Sequence, residues 1–236
     1  MTSHIDLATV TLDKGSHRPN DDAVCVMELV ALFAHEPKTD HPTCTSPVLT
    51  AFAIAFNDGV DDATRQRLVP FIPRLVGTAG DPEADAVRAW MATDWLVRTF
   101  TPVWLRKAGL VEEADAIAAL PELTTAALAR AAQPIIDAAR AKASAAGAAA
   151  GAAAGAAAWD AAGAAAWAAA WDAAGAAARA AASKTKGGPY EAKYRAARKA
   201  ADDILKPLYA ETIIELRESA LALFSRMIDA RASVPA

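Results

Sequence analysis

The sequence predicts an all-α protein, with an N-terminal helical module followed by a long alanine-rich antiparallel helical hairpin. Three observations lead there. Capping residues and prolines stand just ahead of apolar runs at Ser46-Pro47, Asp61-Asp62 and Asp81-Pro82, the arrangement that opens helices. Apolar positions over Tyr190 to Arg231 recur at spacings of three to five residues. Finally, Gly147 to Lys186 is built almost entirely from alanine, the residue with the best intrinsic helix propensity.

The elements follow in order. ATVTL followed by DKGSHRPN reads as a short extended segment and a turn. Asp21 or Asp22 is placed to cap a helix over about Ala23 to His35, whose sequence AVCVMELVALFAH is apolar on every face except at Glu28. EPKTDHPTCTSP, with three prolines, reads as a structured loop. Ser46 and Pro47 then start a second helix that stops at Asn57, Asp58 and Gly59, and Asp61 or Asp62 starts a third, interrupted by Pro70 and Pro73 and closed by Gly77 to Gly80. Asp81-Pro82 opens a long helix with Val87, Trp90, Met91, Trp95 and Leu96 as its apolar stripe, broken or restarted at Pro102.

From Pro121 the helical pattern continues through the alanine tract to Lys186, where Gly187, Gly188 and Pro189 make a strong stop. One helix returns over Tyr190 to Arg231, carrying Ile204, Leu208, Ile213, Leu216, Leu221, Phe224 and Ile228, with a kink expected at Pro207. The expected division is a compact module over 1–120 and a hairpin over 121–236 with its turn near 184–189.

Within the tract every fourth position departs from alanine, from Gly147 through Gly151, Gly155 and Trp159 to Ser183. Each step advances about 40° on a helix, so the stripe winds around the rod. AAAWDAAGAAA occurs twice, at 156–166 and 168–178. The GxxxG spacing suits close helix packing. A membrane span is not expected, because alanine and glycine gain little in lipid and Asp160 and Asp172 are costly there.

Composition narrows function only broadly. A formal net charge of −4 and a pI near 5.6 give no global attraction to nucleic acid or anionic lipid. Two cysteines argue against a disulfide scaffold, and the first ten residues lack the basic start and apolar core of a secretory signal, so a reducing cytoplasm is expected.

Chemistry concentrates in His17, Cys25, Glu28, Asp40, His41 and Cys44. A carboxylate on an otherwise apolar helix must be paired or hydrogen-bonded, and His17, His41 or an arginine is the expected partner of Glu28. Two sulfurs and two imidazoles, His17, Cys25, His41 and Cys44, suit tetrahedral zinc, although their spacing matches no strong finger pattern. A cysteine nucleophile with a histidine base and Asp40 or Glu28 as orienting carboxylate is the alternative. The bland alternative is a core cysteine, a buried Glu–His structural pair and a loop held by proline and Asx-type bonds. Separately, Arg179, Lys184, Lys186, Lys193, Arg195, Arg198 and Lys199, interleaved with Tyr190 and Tyr194, form a basic cluster able to meet nucleic-acid phosphate.

Gly15, His17, Cys25 to Glu28, Asp40 to Pro42, Cys44, Ser46 to Val48, Asn57, Asp58 and Ile72 to Thr78 follow a series G-x-H, CVMEAVA, DHPxC, SPV, ND and IPRLVGT. In these residues, over roughly the first third of the chain, the sequence resembles an uncharacterised family of actinobacteria and their phages. Leu29 stands where alanine is usual, and Ala34-His35 where that helix more often ends in Ala-Gly. The resemblance implies a shared module and an actinobacterial or phage setting, with no activity attached. The leading functional expectation is a protein-interaction or scaffold protein that binds a partner or another copy through the hairpin. A small enzyme or zinc site on the Cys/His/Glu cluster is the alternative, and nucleic-acid binding at the hairpin turn a weaker one.

Overall fold

The computed structural model describes residues 5–154 and 190–230, with side chains described over 5–146 and 209–230. The described residues are all-α, with one isolated parallel bridge, Leu12 to Val24, in place of any strand. The turn expected near 184–189 and the tract from Gly155 to Lys186 lie outside the described residues.

Helix α1 is Val26–Phe33, shorter at its start than the expected span from Ala23. Its N-cap is Cys25 rather than Asp21 or Asp22, because the Glu28 carboxylate reaches back one turn and accepts the Cys25 main-chain N–H at 2.8 Å. That satisfies one of the amides every helix start leaves unpaired. At the other end, Glu36 N donates to Ala31 O and His35 N to Leu32 O. This paired closure needs a left-handed residue, and His35 supplies it at φ 60°.

Helix α2, Pro47–Gly59, starts as the Ser46-Pro47 pair predicts, with Ser46 Oγ accepting from Leu49 N at 3.4 Å. Helix α3, Asp62–Gln66, is capped by Asp61, which accepts from Thr64 N at 2.9 Å. A short 3₁₀ turn, Val69–Phe71, and helix α4, Ile72–Leu75, follow. Pro70 and Pro73 fall in the first turn of these two pieces, where the missing N–H removes no helical bond.

Helix α5 is Pro82–Asp94 and passes into a wider turn, Trp95–Phe100, and then helix α6, Thr101–Lys107. Pro102 therefore neither breaks nor restarts the rod. It has no N–H for the fourth carbonyl back, and the backbone adapts with a π-type bond from Thr101 N to Leu96 O, which also accepts from Thr101 Oγ1 at 2.8 Å. The stripe predicted for α5 is not the buried one: Val87, Trp90, Met91 and Trp95 are half-buried and Leu96 is exposed, while Ala84 and Arg88 are buried.

Helix α7, Val111–Ala118, precedes helix α8, Ala126–Ala154, which includes Pro134. Helix α9, Tyr190–Asp229, runs unbroken through Pro207. With 40 residues it is about 60 Å long at 1.5 Å per residue.

Two compact units result. One comprises Met1–Ala92 and Ala220–Ala236, the other Thr93–Ser219. In the first, α1 packs on α2 and α4. Its core holds Met27, Val30, Leu49, Leu68, Ile72 and Leu75, and Phe224 of α9 stacks on Phe52 with ring centres 5.1 Å apart. Each such side chain contributes about 1.5 to 3 kcal/mol by leaving water. In the second unit α6 packs on α7 and α7 on α8, burying Leu105, Ile117, Leu120, Leu123, Ala132, Ala139 and Ala143. Arg98 grips Asp94 through Nε at 2.6 Å and Nη2 at 3.1 Å and donates from Nη1 to Leu120 O, while Asp94 also accepts Leu123 N.

Candidate functional site

The segment from Leu12 to Val24 has almost no backbone pairing of its own and is held by side chains reaching out from the helices. Gln66 pairs with both main-chain groups of Leu12 at 2.8 and 2.9 Å, acting as a one-residue strand partner. Asn57 donates to Asp13 O at 3.0 Å, and Asp58 accepts Gly15 N at 2.8 Å. Glu28 accepts His17 N at 2.6 Å. Lys38 donates to Arg18 O, Asp21 O and Ala23 O at 3.1, 2.8 and 2.8 Å.

Glu28 is the centre of this arrangement. Its side chain is 1% exposed, and its second oxygen meets His17 Nδ1 at 2.8 Å as well as the Cys25 amide. Burial by itself would raise its pKa, but the amides of Cys25 and His17 and the His17 ring outweigh it, and the carboxyl is held below its ordinary value. Of the partners anticipated for Glu28, the structure selects His17. The Nε2 side of that ring lies 3.9 Å from the exposed Asp13 carboxylate.

The remaining candidates are placed differently. His41 is 73% exposed and its Nδ1 bonds to its neighbour Asp40 at 2.8 Å, a second carboxylate–imidazole pair separate from the first. Cys44 is half-buried, its Sγ 3.7 Å from Thr45 Oγ1, and its carbonyl accepts Gly77 N at 2.9 Å, which ties the DHPTC loop to the end of α4. Glu36 accepts both the amide and the hydroxyl of Thr43 at 2.8 Å and closes that loop.

The proposed zinc set His17, Cys25, His41 and Cys44 is not brought together: among the described residues no three His, Cys, Asp or Glu side chains are grouped to hold a metal ion. Cys25 is buried at the start of α1, while His41 faces solvent beside Asp40. Neither thiol is primed as a nucleophile. Burial pushes Cys25 up to about 11, with the nearby Glu28 charge adding to it, and burial also raises Cys44. Of the basic residues, Lys184 and Lys186 lie outside the described residues, and Lys193, Arg195, Arg198 and Lys199 lie on α9 where side chains are not described.

Sequence reasoning missed Arg88, which is 1% exposed. It donates to Asp85 at 2.8 Å, Thr78 O at 3.2 Å, Met227 O at 3.0 Å and Ala230 O at 3.3 Å. Asp85 is shared with Ser46 Oγ, the cap of α2. The only signal was its i,i+3 spacing from Asp85, which on an exposed helix means little. Lys38 was also missed, because three carbonyls leave no trace in side-chain identity. Comparison with protein-family models, curated proteins and solved structures finds no match.

Proposed function

We propose that the chain is a helical interaction protein that binds another protein, or another copy of itself, through the long helices of its second unit. The observation that supports this reading is the outward position of Ile214. It is 58% exposed, and it stands about 200° around α9 from the buried Leu216. Leu96, Val111 and Ile135 are further large apolar residues left exposed on helices of that unit. Such side chains, when grouped, mark surfaces that partners cover. The hairpin formed with the alanine tract belongs to the same proposal. No described helix is long and apolar enough to cross a membrane.

Solution mass tests it. Sedimentation of the intact protein is expected to give a species heavier than one chain, or a defined complex with a purified partner, and Ile214→Glu is expected to reduce it. A strict monomer that forms no complex removes the proposal.

One contact favours a second reading, a small enzyme. Glu28 holds His17 Nδ1, so the ring's other nitrogen is the one left to exchange a proton, the arrangement a general base requires. Loss of any activity found in His17→Gln, in a protein that remains folded, would support it. The resemblance of the first third of the chain supports an actinobacterial or phage setting, and two free cysteines support a reducing cytoplasm.

A further inference from the structure

All three N–H donors of the Lys38 ammonium are matched to main-chain carbonyls of one loop, Arg18, Asp21 and Ala23, within 3.1 Å. Carbonyl dipoles aimed at one point repel one another unless a cation sits among them. A cluster of carbonyl oxygens at this range is also how a backbone replaces the hydration shell of a potassium ion.

The loop keeps its shape by bonds that do not involve Lys38. Arg18 N donates to Asp21 Oδ2 at 2.9 Å and Asp21 N to Arg18 O at 3.1 Å, closing the turn on itself. Glu28 holds the chain just before it at His17 N, and Asp13 N holds it just after at Val24 O, 2.8 Å away. The carbonyls therefore stay converged when the lysine is taken away. Asp21 and Asp22 add negative potential from the same loop. Three neutral carbonyls with no carboxylate among them suit a monovalent cation better than calcium, whose shell includes carboxylates, and water completes the shell of a bare ion.

We infer that the Arg18–Ala23 loop is a monovalent-cation site filled by the protein's own ammonium, and that deleting the Lys38 charge opens it to potassium or to ammonium-class ions. The inference is independent of the proposed interaction role.

The test is thermal unfolding of full-length Lys38→Ala and Lys38→Met at fixed ionic strength, with tetramethylammonium chloride exchanged for potassium, ammonium or methylammonium chloride. The variants are expected to gain about 2 to 4 °C in Tm, saturably, from the three small cations, while the parent protein gains no such increment. Equal Tm values in every chloride, or an equal response of the parent protein, overturn the inference. If Lys38→Ala does not fold in tetramethylammonium, recovery in potassium supports the site. Failure of both variants in every salt overturns it.

Discussion

Arg88 of α5 donates from Nε to the main-chain carbonyl of Met227 on α9, 3.0 Å away and 139 residues along the chain. Its other nitrogens reach Thr78 O, Ala230 O and Asp85. One guanidinium thus brings extra donors to the final carbonyls of a helix, where backbone amides run short, and neutralises a carboxylate that also binds the cap of α2.

Arg88→Met is expected to destabilise the first unit by about 3 kcal/mol or more, because it removes the charge that neutralises Asp85 and the guanidinium bonds to three carbonyls. Arg88→Lys is expected to recover only part of this, since an ammonium cannot span the fork. Urea unfolding of both variants, read by the midpoint at unchanged slope, checks it.

Glu28 makes stability depend on acid pH. Its folded carboxyl titrates below its ordinary value near 4.5, so its contribution is fully present above that value and is lost as pH falls through the lower folded one. Glu28→Gln is expected to cost about 2 kcal/mol at pH 7 and to flatten the loss of stability below about pH 4.5. Paired pH–stability curves of the two proteins measure the difference.

His35→Gly is expected to stabilise. His35 sits at φ 60° after α1, the position that Gly109 fills at φ 75° after α6 with the same pair of closing hydrogen bonds. A side chain in the left-handed region costs about 1 kcal/mol, which predicts a gain of about 2 to 4 °C in Tm for a chain of this size.

Cys25 is expected to resist alkylation in the native protein. With a pKa pushed up to about 11, about one thiol in a thousand is ionised at pH 8, and burial blocks access as well. Mass spectrometry after iodoacetamide treatment should show Cys25 modified only once urea unfolds the chain, with Cys44 reacting earlier but more slowly than a free thiol.

Local chemistry was legible in the sequence. Ser46-Pro47 starts α2 because a hydroxyl and a preset φ act within one turn, and Glu28 was marked as paired because nothing else on α1 is polar. What stayed hidden depends on distant backbone. The α5 stripe was misread because tryptophans carry more apolar weight than arginine, yet Arg88 goes inside, where main-chain carbonyls from 78, 227 and 230 meet it. The start of α1 was misplaced for a related reason: Asp21 and Asp22 look like caps, but the Asp21 carboxylate is engaged by Arg18 N. At His35 the need for a left-handed residue came only with the backbone angle.

The first unit takes its last helical segment, from Ala220 on, only after Thr93–Ser219 has intervened in the chain. During synthesis its earlier helices must therefore wait, with the seat of Phe224 and the guanidinium of Arg88 uncovered, until the whole second unit has been added. Folding of this module is bound to the completion of its neighbour rather than to its own, which reverses the usual order in which N-terminal domains finish first.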